Sequence, residues 1–194
     1  MLHSQGHRVV TPTQTGLGNR RHLMARSITL DLFVEDLVNV IETEDLNDMV
    51  IVGHSFGSVP VIGVADRMPE RVRHMVFLDG MILQKGQSVF GMLTPEDAAQ
   101  RRKMVVAQGG GVALPILPVK ALGIAEGTED YVWVERNLAP HPVGTYDSPL
   151  NINNPIGNGR PCTYIACTNP WMPTMASSQD WVRKQPNWKW LELA

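Results

Sequence analysis

The most regular signal in the chain is a stripe of apolar residues at helical spacing: Leu30, Phe33, Val34, Leu37, Val38 and Ile41. Asp31, Glu35, Asp36 and Glu42 interleave with it, and Thr29 stands where an N-cap belongs. The pattern predicts an amphipathic helix packed on a sheet. Short unbroken apolar runs lie around it. Arg8 to Pro12 (RVVTP) reads as a short buried strand, ending in a Thr/Pro/Gly loop over Thr13 to Arg21. Met49 to Val52 (MVIV) and Met75 to Leu78 (MVFL) read as further strands, and the continuous MVIV run predicts burial on both faces. A small-residue helix running to about Met68 separates these two. Strand, helix, strand, helix, strand is the alternation of a parallel α/β sheet.

The texture changes after Leu83. Thr94-Pro95-Glu96-Asp97 is a helix start, with Thr94 as N-cap and Pro95 in the first turn, and Gly109-Gly110-Gly111 ends that helix. A second helix is predicted from about Thr128 to Leu138. Pro115, Pro118, Pro140, Pro142, Pro149 and Pro155 mark extended loop. With no strand alternation, residues about 84–160 read as a cap inserted in a single domain spanning 1–194. Order then returns as a strand at Thr163 to Ala166, a short helix at Ser178 to Gln185 and a strand at Trp188 to Leu193. The expected fold class is α/β: a mostly parallel sheet flanked by helices, with a helical and loop cap.

Composition narrows the function. Hydrophobic residues make up 43% of the 194, enough for a real core, and the formal net charge is -2. So small a charge argues against nucleic acid or a membrane surface as partner. No apolar run approaches the ~20 residues a bilayer span needs. The stretch from Met1 to His7 lacks a basic region followed by an apolar one, so no signal peptide is expected. Cys162 and Cys167 sit at odd spacing in an expected strand, which points them to opposite faces. They form neither a bridge nor a metal motif, and a reducing, cytoplasmic setting is the default. No metal or other cofactor is called for.

Gly53-His54-Ser55-Phe56-Gly57 carries the chemistry. It fits G-x-S-x-G, and it lies between an apolar strand and a helix, the setting that a nucleophile elbow demands. Ser55 is the candidate nucleophile. Gly53 and Gly57 are expected to be small because side chains there would collide with strand and helix. The Phe56 backbone N–H, near a helix N-terminus, is a candidate oxyanion donor. His54 adjoins Ser55 but points away from it through the turn.

That elbow, together with Thr11 to Leu23 (TPTQTGLGNRRHL), Phe77-Leu78-Asp79 and Thr163 to Ala194, resembles the bacterial α/β-hydrolases related to plant methylesterases and hydroxynitrile lyases. The resemblance implies an esterase-like hydrolase of small carbonyl substrates that uses no cofactor. It implies a triad in the order serine, acid, histidine. The acid's usual place reads Cys167-Thr168-Asn169-Pro170, without a carboxylate. Asp79, at the end of the strand after the elbow helix, is the alternative acid; a strand-end residue capping a loop is the other reading of it. The base is implied just after the last strand, in a Gly-His pair, and this sequence stops at Ala194. Met1 to Gly6 resembles the tail of the family's first helix, so the His-Gly loop with the second oxyanion donor has no counterpart. The resemblance therefore predicts a chain cut short at both ends.

The histidines present do not fill the gap. His22 is expected to hold its loop, His74 to lie on the surface, and His3 and His7 to face solvent; His141, in the cap, could reach the mouth of the site. Phe90, Met92, Met104 and Trp133 either line an apolar pocket or form the core of the cap. Trp181, Trp188 and Trp190 are expected to pack around the last helix and strand, and Arg101-Arg102-Lys103 to form a solvated face. Three readings follow. The first is a serine hydrolase acting on a small ester, weak or inactive in this length of chain. The second is a non-catalytic protein that binds a small apolar ligand on the same fold. The third is a chain that does not fold stably alone, whose exposed central sheet edge invites aggregation or pairing with a second copy as a homodimer.

Overall fold

Four apolar runs of the sequence come together as one parallel sheet in the computed structural model, which describes residues 2–194. Met1 lies outside the described residues. In chain order the elements are α1 (Leu30–Thr43), β1 (Met49–His54), α2 (Ser58–Arg67) and β2 (Val72–Leu78). Then come α3 (Pro95–Gln108), β3 (Ala113–Leu114), α4 (Glu129–Asn137), β4 (His141–Pro142) and α5 (Gly144–Asp147). The chain returns to the sheet through β5 (Cys162–Cys167), α6 (Ala176–Val182) and β6 (Trp188–Leu193). The sheet order is β1-β2-β5-β6, all parallel, while β3 and β4 form a small antiparallel ladder outside it.

The local signals act as expected in the helices. Thr29 Oγ1 accepts from the Leu32 N–H, and α1 buries Leu30, Phe33, Val34 and Ile41 against its neighbours. Thr94 and Thr128 cap α3 and α4 by accepting from Asp97 N and Tyr131 N. One face of the sheet is the core. Ile51, Gly53, Met75, Phe77, Cys162, Tyr164 and Ala166 face α2, α6 and the 150–156 loop. Trp188 stacks on Phe77 at 5.1 Å and Trp190 on Tyr164 at 5.3 Å, closing that face with aromatic area. Cys162 is buried and Cys167 half-buried, and both are free thiols.

The structure corrects three expectations. Arg8 to Pro12 is irregular and joins no sheet; Val9 and Val10 are only half-buried, and Arg8 pairs instead with Glu44 at 2.5 Å. An apolar run forms a strand only where a partner ladder is available, and β1 has no neighbour on its outer side among the described residues. Second, MVIV is not buried on both faces: Val50 is 47% and Val52 58% exposed. α1 and α2 cover only the face that carries Ile51 and Gly53. Third, His74 lies within β2 rather than on the surface; it is half-buried, with Nε2 2.8 Å from Thr163 Oγ1.

Candidate functional site

β1 delivers the chain to Ser55 in a backbone conformation that L-residues avoid. Ser55 has φ 51°, and Asp79, just beyond β2, has φ 40°. Non-glycine residues in this region cost ~1–3 kcal/mol unless their surroundings over-determine them. The surroundings here do. His54 pairs in register with Leu78, so Ser55 and Asp79 follow on adjacent strand ends at the carboxyl edge of the sheet. The Met81 N–H donates to the Ser55 carbonyl at 3.0 Å, tying the elbow to the loop after β2. Ser58, fully buried, donates from Oγ to the Gly53 carbonyl at 3.0 Å. A Cβ at Gly53 would lie 2.5 Å from Ser58 Cα, and one at Gly80 would lie 2.2 Å from Ser58 Oγ. Strand, turn and helix therefore meet through glycine and serine alone.

Gly57 departs from the expectation. Its φ is -59° and a Cβ there would meet nothing within 4 Å. Neither backbone nor packing requires glycine at that position. His54 is exposed and makes no polar contact among the described residues. Phe56 contributes more than its N–H. Its buried ring stacks on Tyr146 at 5.0 Å and meets His141 at 4.5 Å and Phe33 at 6.1 Å edge-on. The N–H of Phe56 opens the short turn that leads into α2, where the first N–H groups have no intrahelical acceptor.

Asp79 is 6% exposed. Its Oδ1 accepts from Gln179 Nε2 at 3.1 Å and, at 3.4 Å, from the Cys167 N–H. Gln179 is itself buried, and its Oε1 accepts from the Trp171 indole at 3.3 Å. Among the described residues Oδ2 has no partner, and no ion pair reaches Asp79. The field of this carboxylate is felt nearby. The Tyr164 phenol and the Cys167 thiol are both pushed up, first by burial and then by the Asp79 charge. Tyr164 donates to the Gly80 carbonyl at 2.9 Å, bracing the same loop from below. Asn169 is exposed and brings no charge to this edge.

The histidines are scattered. His3, His7 and His22 are exposed. The loop that His22 was expected to hold is fixed by Arg20 instead, which donates to Asp36 Oδ1 at 2.9 Å and to Thr15 Oγ1 at 2.6 Å, while Thr15 N also donates to Asp36. Beyond His54 in the elbow itself, His141 comes near it, as part of the aromatic layer on Phe56. Its Nε2 lies 3.0 Å from Thr145 Oγ1, whose hydroxyl proton goes to the Pro142 carbonyl at 2.8 Å. Thr145 can only accept from the imidazole, which assigns the proton to Nε2 and leaves Nδ1 as an acceptor. Burial lowers the His141 pKa to about 4, so the ring is neutral at ordinary pH. Its hydrogen bonding does not reach Ser55.

The cap also differs in part from expectation. Phe90 is core, but Trp133 is 63% exposed. Arg102 and Lys103 are exposed, as expected, but Arg102 also pairs with Asp147 and lies 4.4 Å over the Phe90 ring. A groove of about 480 Å³ opens between α3, the loop after β3 and the segment around β4, with His141 and Tyr146 in its wall. Gly80, Ser58, Gln179 and the Phe56 ring are the functional neighbours that sequence reasoning missed. Only the Gly-Ser and Asp-Gly pairs carried any local hint. No group of three or more His, Cys, Asp or Glu that could hold a metal occurs among the described residues. No helix there is long and apolar enough to cross a membrane.

A parallel sheet with a left-handed serine between strand and helix at its carboxyl edge defines the class of the α/β-hydrolases. The chain belongs to the alpha/beta hydrolase family, which it matches over residues 2–194. It is similar to a carbendazim hydrolyzing esterase of Nocardioides sp. (strain SG-4G), 36% identical over 157 residues, 77% of this chain. The chain spans 64% of that esterase's length. Among solved structures it is similar to an extracellular alpha/beta-hydrolase from a Paenibacillus species described as homologous to tobacco salicylic acid binding protein 2. That match has TM-score 0.74 and 21% identity, and it covers 99% of this chain and 80% of the other. It is also similar to the methylesterase MES16 of Arabidopsis, with TM-score 0.65, 16% identity and coverage of 99% and 79%.

Proposed function

We propose that this chain carries the nucleophile and acid of a serine hydrolase that cleaves small esters. The observation behind the reading is the left-handed Ser55 beside the left-handed, buried Asp79 on adjacent strand ends. Asp45, Asp48 and Asn158 share that conformation elsewhere in the chain, so the support comes from its occurrence at Ser55 and at the buried Asp79 on neighbouring strand ends together. In this reading Ser55 Oγ attacks the ester carbonyl, and the Phe56 N–H donates to the oxyanion that develops. The leaving alcohol takes a proton from a base, and water then releases the acyl group from Ser55. The base belongs against Asp79 Oδ2. That oxygen is unpaired, while Gln179 and the Cys167 N–H occupy Oδ1. A buried carboxylate without a cation favours a partner that becomes positive, as an imidazole does when it takes the serine proton. The esterase similarity supports ester over amide substrates.

The test is release of 4-nitrophenol from 4-nitrophenyl acetate by the full chain and by Ser55→Ala. Turnover above background, however weak without a histidine on Ser55, should disappear in the variant. A second reading, a ligand-binding protein, is favoured by the absence of any histidine hydrogen-bonded to Ser55 among the described residues. Saturable binding of an apolar ester without alcohol release, unchanged in Ser55→Ala, would establish it instead.

A further inference from the structure

The cap groove has an apolar stretch, Met104, Leu114, Ile116, Leu122 and Leu138, with polar side chains beside it, the exposed Gln100 among them. At about 480 Å³ it is of the size that holds small ligands. Three polar groups in its wall have something left to offer. Arg101 is half-buried and forms neither an ion pair nor a hydrogen bond among the described residues, although Arg102 beside it has both Asp147 and the Phe90 ring. The Tyr146 hydroxyl has no hydrogen-bond partner there either, its ring being held by Phe56, Phe90 and His141. Burial pushes that phenol up while the Arg101 charge pulls it back, so the two donors sense each other. His141 presents an imidazole whose Nε2 is already committed to Thr145. Asp97 also lines the groove, but its carboxylate is exposed and accepts from the Thr94 hydroxyl at 2.9 Å. The inner wall is a single aromatic layer: His141 and Tyr146 are the two rings that clasp Phe56, the residue after Ser55.

We propose that this groove binds an apolar molecule ending in a carboxylate, with Arg101 and Tyr146 as the donors to its oxygens. An unpaired guanidinium and an unpaired phenol lining the same groove form a two-donor seat for an oxyanion. The proposal does not rest on the serine-hydrolase reading.

The experiment is calorimetric titration of the full chain with 4-phenylbutyrate and with its neutral counterpart 4-phenylbutyramide. The carboxylate should bind roughly 10-fold or more tightly than the amide, since hydrogen bonds to charged groups are the strong ones. Arg101→Met keeps the apolar stem and should erase that preference, and Tyr146→Phe should weaken the carboxylate several-fold. Equal binding of the two probes, binding of neither, or a preference that survives Arg101→Met overturns the proposal. Should Arg101→Met fail to fold, the two-probe comparison on the native chain and Tyr146→Phe still decide it. Neither probe is an ester, so the two readings fail separately. The expected preference with no ester turnover rejects the serine reading and keeps the groove. Turnover that Ser55→Ala abolishes, with no carboxylate preference, rejects the groove alone.

Discussion

At the carboxyl edge of the sheet, Gly53, Ser58 and Gly80 are packed so closely that one added Cβ would collide. In the cap, Ile116, Leu117 and Leu122 stand 44%, 55% and 48% exposed around an open groove, and Trp133 on α4 is 63% exposed. The edge is built from short side chains and buried hydrogen bonds, with backbone conformations fixed from several sides. The cap is built from helices with few buried residues, joined by proline-rich loop. The first kind of construction holds reacting atoms to a fraction of an ångström, and the second tolerates change in what it contacts. On this view chemistry resides at the edge and selectivity in the cap. Mutations should separate the two: edge changes should cost turnover or stability outright, and cap changes should redistribute substrates.

The sharpest break of that contrast is Asp79→Asn. The amide preserves size and can keep the Gln179 and Cys167 contacts, so the fold should survive. With the carboxylate gone, kcat for a 4-nitrophenyl ester should drop more than 10-fold, and about 10⁴-fold where a histidine base pairs with Oδ2 as in a complete triad. If turnover falls less than 10-fold while the melting temperature drops, Asp79 is a loop cap rather than the acid.

The next prediction compares two glycines of one motif. Gly53→Ala forces a methyl group to within 2.5 Å of Ser58 Cα, a backbone atom that cannot step aside. It should destabilise the chain by ~3 kcal/mol in denaturant unfolding. Gly57→Ala, in open space at φ -59°, should be neutral or stabilise by ~0.5 kcal/mol through the unfolded chain. Equal losses at both positions would show that the motif acts as a unit and that the tight joint is not confined to Gly53.

These two glycines also mark how far the sequence could be read. The elbow was legible because its parts are contiguous: an apolar strand, a G-x-S-x-G turn and a helix of small residues. The strand–helix order and the threonine caps at Thr29 and Thr94 were legible for the same reason. The pieces that bring Asp79 and Phe56 into position were not. Gln179 reaches Asp79 from 100 residues away, and His141 and Tyr146 reach Phe56 from the far side of the cap. No local pattern encodes such a contact. A continuous apolar run such as MVIV reports high hydrophobicity but not how many faces are covered, so β1 looked doubly buried when it is covered on one side. Arg8 to Pro12 had strand composition and no partner strand. Gly57 shows the converse: a motif position can match its pattern without a steric demand for it.

The smallest effect expected comes from the layer that joins edge and cap. His141 is neutral in the folded chain, its pKa lowered from 6.5 to about 4 by burial among Phe33, Phe56 and Tyr146. The unfolded chain therefore binds a proton at higher pH than the folded one, and stability rises with pH across this window. The contribution is complete above pH 6.5 and is lost progressively as pH falls toward about 4. At pH 5 the loss from this one group is ~2 kcal/mol. Acid destabilisation between pH 7 and 5 should accordingly be shallower in His141→Phe, which keeps a ring against Phe56 and removes the titration. The comparison is the change in unfolding free energy with pH in the two proteins, not their stability at any single pH, because the phenyl ring also forfeits the bond to Thr145. Parallel pH profiles would mean that His141 is solvated enough to titrate normally, and that the aromatic layer over Phe56 admits water.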